Sequence, residues 1–317
     1  MAWHTENAGA SRRVVVTKDL PGSRWKDVLT SAGCEVYYSD SNSVHTIEEI
    51  QDAIGDRCDG AIGQLNEPWR AELFESLRAA GGTAYSNFAV GYDNVSVDEA
   101  TSRGIAVGNT PGVLTETTAE LAVALTYAAA RRVSESEVFL REGKFKAWLP
   151  DLFLGKLLWG GTLGLIGAGR IGSRYAKMLV QASSMDVVYW SRSQNAELED
   201  YFARYSDFAE ATGERRVSCR RVEDLSELLA VSDVAAVHVP LSDATRHLID
   251  AERLAQMKDD AILINTSRGP TVHEAALVER LKAFPNFRAG LDVFEREPAI
   301  EPGLDQLPNA VLVPHIG

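Results

Sequence analysis

The sequence predicts an α/β protein made of two doubly wound parallel-sheet domains. Three observations carry that expectation. Short β-branched runs alternate with helical patterns over the first third of the chain, and the alternation restarts at Thr162 and runs to the end. Between the two stretches lies a long Ala- and Leu-rich segment with strong helical propensity. At 317 residues the chain is long enough for two separate cores.

In the first stretch, residues 14–16 read as a strand, 21–32 as a helix stopped by Gly33, and 35–38 as a second strand. Thr46 with Glu49 three residues on forms a capping-box pattern that opens a helix towards Ile54. Residues 61–62 and 83–85 read as strands around a helix over 70–80, closed by Gly81 and Gly82. The helix over 117–132 is apolar on nearly all faces, which predicts an inter-domain helix buried between two bodies. The aromatic stretch 145–159, with Trp148, Phe153 and Trp159, reads as a loop that packs either on a second subunit or on its own domain. From Thr162, strands over 163–166, 186–190, 234–239, 261–265 and 288–291 alternate with helices over 170–182, 224–230, 250–257 and 274–284. Residues 200–213 read as a polar, solvated helical insertion.

Composition excludes several function classes. The net charge of −13 disfavours binding to nucleic acid or to an anionic membrane surface. The longest apolar run, 121–130, is far short of the roughly 20 residues a membrane span needs. The N-terminus shows no basic-then-apolar leader pattern, and Cys34, Cys58 and Cys219 fit no zinc or redox motif. A cytoplasmic protein with reduced thiols and no metal is expected.

Gly167-Ala168-Gly169-Arg170-Ile171-Gly172 follows a strand and opens a helix, which makes the G-x-G-x-x-G string informative. Gly167 permits the tight turn, Gly169 lets the backbone approach a pyrophosphate, and Gly172 allows close packing of helix on strand. The phosphates would sit on the N–H groups at the helix start, from Arg170 and Ile171 onward. The second strand ends in Tyr189-Trp190-Ser191-Arg192-Ser193, without the carboxylate that would bind a ribose 2′-hydroxyl. Arg192, flanked by Ser191 and Ser193, suits a 2′-phosphate, so NADP(H) is expected in preference to NAD(H). The alternative is that Arg192 lies over the adenine ring and either cofactor binds.

Three further residues follow successive strands: Arg268 in Thr266-Ser267-Arg268-Gly269, Glu297 before Pro298, and His315 after Pro314. Strand ends of one parallel sheet converge on one edge, so the three could meet. Such a trio suits reduction of a 2-keto acid: Arg268 grips the carboxylate, His315 hands a proton to the carbonyl oxygen, and Glu297 stabilises the imidazolium. Singly, each has an ordinary structural reading, as a surface arginine, a helix-start glutamate and a core histidine. His238 and His247 lack the companions a metal site needs.

These strings, with Asn109-Thr110-Pro111-Gly112-Val113-Leu114-Thr115-Glu116-Thr117-Thr118-Ala119-Glu120, resemble the D-isomer-specific 2-hydroxyacid dehydrogenase family. Within it, the strings Cys58–Leu65, Trp148-Leu149-Pro150 and Phe287–Glu295 are most similar to hydroxypyruvate and glyoxylate reductases of the plant photorespiratory type. The resemblance implies a flavodoxin-like substrate domain over 1–118 and a Rossmann dinucleotide-binding domain over 119–317 that opens with the inter-domain helix. It places the active site in the cleft between them. It also implies that Arg268, Glu297 and His315 are catalytic, and that Gln64, Leu65, Val90 and Gly91 meet the substrate together with Arg268. Thr118, Val239, Pro240, Thr245, Thr266 and Asp292 would line the cofactor, and a homodimer would form through the dinucleotide domain.

The family continues past its histidine with a helix that returns to the substrate domain. This sequence stops two residues after His315, so that domain is expected without its return segment, and without the peroxisomal address of the plant type. Other readings are a dehydrogenase of the same scaffold acting on 3-phosphoglycerate or another acid, and a truncated, inactive dinucleotide-binding protein.

Overall fold

Residues 2–317 are described by a computed structural model, in which the chain divides into two units, Met1–Val113 and Leu114–Gly317. The division falls a few residues before the expected one, so the whole of the long Ala-rich helix belongs to the second unit.

The first unit runs β1 (Trp3–Glu6), β2 (Arg12–Val16), α1 (Arg24–Ser31), β3 (Cys34–Ser39), α2 (Ile47–Ile54), β4 (Gly60–Gly63), α3 (Ala71–Ala79), β5 (Ala84–Asn87), α4 (Val97–Ser102) and β6 (Ala106–Gly108). Among the described residues its sheet has the order β1-β3-β2-β4-β5-β6, parallel except for β1, which pairs antiparallel with β3. Side chains of one strand alternate between faces. Val15, Ala61 and Tyr85 therefore pack with α2 and α3, while Val16, Val36 and Tyr38 pack with Trp25 and Leu29 of α1. The capping box at Thr46 is formed as the sequence indicates: its hydroxyl accepts from the Glu49 N–H and the Glu49 carboxylate accepts from the Thr46 N–H. Strand β1 was not foreseen, because Trp-His-Thr-Glu has no apolar alternation; Trp3 is held by stacking on Tyr37 and His45.

The second unit opens with α5 (Thr115–Ala130) and α6 (Val133–Arg141). There follow β7 (Thr162–Ile166), α7 (Arg170–Ser183), β8 (Asp186–Trp190), α8 (Ala196–Ala211), β9 (Cys219–Arg221), α9 (Leu225–Val231) and β10 (Val234–Val237). The unit ends with α10 (Ala251–Gln256), β11 (Ile262–Asn265), α11 (Glu274–Ala283), β12 (Arg288–Leu291) and β13 (Ala310–Leu312). All seven described strands are parallel, in the order β13-β12-β11-β10-β7-β8-β9. The order reverses between β7 and β10, which makes the carboxyl ends of these two strands the place where a doubly wound sheet takes its ligand. Helices α5, α7 and α8 cover one face over Leu163, Leu165, Val187 and Ala236; α9, α10 and α11 cover the other over Ile166, Val188, Val237 and Leu263.

One helix and three short strands of the chain also differ from expectation. Helix α8 is not a solvated insertion: Leu198, Phe202, Ser206 and Ala209 are buried along one side, and Asn195 caps its first turn. Its charges occupy the opposite side, and composition alone hides that split. The short edge strands β6, β9 and β13 have three residues each, too few for a periodic signal. The stretch 145–159 is a loop, as read. It leaves Trp148 78% exposed, with Leu149, Leu154, Leu157 and Trp159 also exposed, while Leu158 is buried and Lys156 donates to Ala130 O at 2.8 Å.

Candidate active site

The glycine loop sits at the carboxyl end of β7, on the switch point of the second sheet. Gly167 has φ 98°, and a Cβ there would lie 2.7 Å from the His238 carbonyl oxygen, so the tight turn requires glycine. A Cβ on Gly172 would lie 2.2 Å from the Gly167 carbonyl oxygen, which lets α7 start directly on the loop. Gly169 faces open space and caps α7 without any side-chain hydrogen bond, so the N–H groups of Arg170, Ile171 and Gly172 carry the positive end of the helix dipole outward. Against the loop lies His238, whose Nε2 is buried without a hydrogen-bond partner and whose imidazole burial pulls down to about 4; Thr118 Oγ1 and Thr266 Oγ1 of the same unit are likewise buried and unpartnered. Orphaned polar atoms beside a phosphate-sized cradle fit a dinucleotide.

At the end of β8, Ser191 Oγ donates to Ser193 O at 2.5 Å and shapes the turn that carries the exposed Arg192. Sequence reading missed Arg221 at the end of the adjacent β9, whose guanidinium donates to Ser191 O at 2.9 Å from Nη2 and 3.2 Å from Nε. Pairing of β8 with β9 puts Tyr189 opposite Arg221, and no sequence signal marks a three-residue strand. Val239 and Pro240 follow β10; Thr245 Oγ1 donates to Pro240 O at 2.7 Å and accepts from Ser242 N, fixing that turn.

The strand ends on the other side of the switch point bring the charged trio together. Asn265 at the end of β11 donates to Arg268 O at 3.0 Å and accepts from Ser267, and Thr271 Oγ1 donates to Arg268 O at 2.7 Å. A Cβ on Gly269 would lie 1.9 Å from the Phe294 carbonyl carbon, so glycine lets the Arg268 turn lie against the segment that carries Glu297. Glu297 Oε1 accepts from Phe294 N at 2.9 Å, and its Oε2 lies 2.8 Å from His315 Nδ1. Burial raises the Glu297 carboxyl, but the His315 and Phe294 hydrogen bonds and the charges of His315 and Arg268 outweigh it and hold it below the usual range. Nδ1 of His315 is thus engaged, which leaves Nε2 as the nitrogen able to exchange a proton with a substrate. Asp292 accepts from Ile316 N and Gly317 N, while its carbonyl accepts from His315 N.

In the first unit, the strand-end loops form their own polar cluster. Buried Glu67 accepts from Gln64 N and Trp69 Nε1, each at 3.0 Å, and Asn94 donates to the carbonyls of Gln64 and Glu67. Asn109 donates to Val90 O at 2.9 Å and Asn87 to Gly91 O at 2.8 Å. The carbonyls of Val90 and Gly91 are thereby turned inward, and among the described residues their N–H groups have no acceptor. Leu65 lies in the same loop as Gln64, whose Nε2 is buried and unpartnered.

A seven-stranded parallel sheet with a glycine cradle at its switch point, and an imidazole–carboxylate pair near an arginine on the neighbouring strand ends, defines a nicotinamide-dinucleotide oxidoreductase. The family model for the D-isomer specific 2-hydroxyacid dehydrogenase NAD binding domain matches residues 123–317, and the chain belongs to that family. It is 51% identical over 311 residues to the peroxisomal glycerate dehydrogenase HPR of Arabidopsis thaliana, covering 98% of this chain and 81% of the relative. It is 41% identical over 308 residues to the glyoxylate reductase of Korarchaeum cryptofilum, covering 96% and 85%. Among solved structures, the TT0316 protein of Thermus thermophilus superposes with a TM-score of 0.82 at 39% identity, covering 96% of this chain and 89% of that one.

Proposed function

We propose that the chain reduces hydroxypyruvate to D-glycerate and glyoxylate to glycolate, with NADPH as the preferred cofactor. The single observation that carries the reading is the His315–Glu297 pair, 2.8 Å apart, beside Arg268 on the strand ends of the dinucleotide domain. Held on the glycine loop, the reduced dinucleotide supplies the hydride. Arg268 grips the substrate carboxylate and polarises the adjacent carbonyl. The carbonyl oxygen takes its proton from Nε2 of His315, and Glu297 stabilises the imidazolium before transfer. The N–H groups of Val90 and Gly91 add donors to the carboxylate, with Gln64 and Leu65 beside them. Thr118, Thr266 and Asp292 serve the nicotinamide side, and Arg192 with Ser191 and Ser193 takes the 2′-phosphate, no carboxylate following β8 directly.

The names of the two relatives, a glycerate dehydrogenase and a glyoxylate reductase, support this substrate class. Two copies are proposed to associate through the dinucleotide domain, using the exposed loop 145–159. No helix among the described residues is long and apolar enough to cross a membrane. The proposed compartment is the cytoplasm, with the peroxisome, named for the plant relative, as the alternative.

The test is NADPH oxidation with hydroxypyruvate, glyoxylate, pyruvate and 3-phosphohydroxypyruvate. Turnover is expected with the first two. Folded, NADPH-binding protein inert towards all four overturns the enzyme assignment, and a higher kcat/KM with NADH overturns the cofactor preference.

A further inference from the structure

We infer that Arg221, together with Glu223, sets the affinity for the 2′-phosphate of the cofactor as a specificity-determining pair, an inference that rests on the NADPH reading. Arg221 stands at the carboxyl end of β9, beside the turn that carries Ser191, Arg192 and Ser193. Nε and Nη2 spend their hydrogen bonds on Ser191 O, and Nη2 lies 3.4 Å from Arg192 O. The guanidinium therefore fixes the turn from behind, through its main-chain oxygens, and leaves the Arg192 side chain outside. That side chain is exposed and has no hydrogen-bond or ion-pair partner among the described residues.

Nη1 of Arg221 donates to Glu223 Oε1 at 2.6 Å and keeps a second N–H. The Arg221 side chain is 24% exposed and that of Glu223 83%. A phosphate brought against the turn meets the Arg192 guanidinium, with the Arg221 charge, shared with Glu223, directly behind it. The carboxylate that the end of β8 lacks is supplied after β9, where it competes for Arg221 and opposes a dianion. Arg221 favours the phosphorylated cofactor through its charge and its hold on the turn, and Glu223 moderates that preference. Arg220, the other basic residue of β9, pairs with Glu227 at 2.7 Å and takes no part.

The experiment measures Kd for NADPH and NADH by calorimetry on the whole protein and on Arg221→Met, Arg221→Lys and Glu223→Gln, with thermal unfolding as a check on folding. The quantity read is the ratio of the NADH Kd to the NADPH Kd. Arg221→Met is expected to lower it about tenfold, as loss of a charge-assisted contact does. Arg221→Lys is expected to restore part of the loss, and Glu223→Gln to raise the ratio about threefold. The ratio is compared between variants, so it tests Arg221 whichever cofactor the wild-type protein prefers; an NADH preference in the wild type counts against the NADPH reading alone. Equal weakening of both cofactors by Arg221→Met, or no change, overturns the inference and reduces Arg221 to a support of the turn. Glu223→Gln lies on the exposed surface and remains a test should Arg221→Met fold poorly; an unchanged or lowered ratio there overturns the inference as well.

Discussion

His315 has φ 53°, a left-handed conformation that a non-glycine residue adopts at some cost, and its N–H bond to Asp292 O at 2.9 Å holds it there. The backbone thus sets the direction of the imidazole, and the hydrogen bond to Glu297 fixes its rotation. Replacing His315 by Ala should lower kcat by about 10²–10⁴ with little change in the Kd for NADPH, measured by stopped-flow and calorimetry. Arg268→Lys should raise KM for hydroxypyruvate at least about tenfold, because a point charge cannot grip a carboxylate bidentately. Stability should depend on pH as well. Burial pushes the Glu274 carboxyl up from 4.5 to about 7, and the charges of Glu295 and Glu301 add to the rise, although its Oε1 accepts from Glu295 N. Between those two values the folded state keeps a proton the unfolded state has lost, so this residue makes stability fall as pH rises. Glu274→Gln should flatten that decline and leave stability below pH 4.5 unchanged, as followed by urea unfolding across the range. The placement of His315, Glu297 and Arg268 beyond strand ends was legible in sequence because each follows a strand pattern. Arg221 and Glu274 were not, since their neighbours come from segments far away in the chain.

Among the elements, α7 shows how a local string becomes geometry. Its first turn lies so close to the glycine loop that a methyl group on Gly172 meets the Gly167 carbonyl oxygen at 2.2 Å. Gly172→Ala should cost about 1–3 kcal/mol in stability and weaken NADPH and NADH alike, because the loop itself has to move. Thermal unfolding with a dinucleotide titration checks both. The capping box of α2 and the glycine stop after α1 could be read from single residues, because their chemistry is confined to one turn. Strands β6, β9 and β13 could not. An edge strand of three residues is set by the ladder its neighbour offers, not by its own pattern.

For the molecule as a whole, a net charge of −13 has to coexist with anionic ligands, and the fold reconciles them by placing cations and N–H groups at strand ends. Arg192, Arg221 and Arg268 stand at or just beyond the carboxyl ends of β8, β9 and β11. Raising ionic strength should therefore weaken NADPH binding more than NADH binding, as calorimetry at two salt concentrations would show. The loop 145–159 is anchored at Leu158 and Lys156, packs Phe153 on Phe139, and leaves Phe145, Trp148 and Trp159 exposed, the residues proposed to carry subunit association. On the proposed association through this loop, sedimentation velocity should show a dimer that replacing Trp148 and Leu157 by Ser shifts towards monomer, without changing the fold seen by circular dichroism.

Local pattern was enough for the two α/β units, the glycine loop and the order of Arg268, Glu297 and His315 along strand ends. Each of these rests on periodicity or on glycine chemistry that acts within a few residues. The packing of the folded chain brings together partners that no local pattern marks: Arg221 behind Ser191, Gly269 against Phe294, the Glu274 and Glu295 carboxylates each accepting from the other's backbone N–H, and α8 with one side buried. Sheet order sets those partners, because parallel strands adjacent in space are far apart in the chain and no local pattern records the pairing.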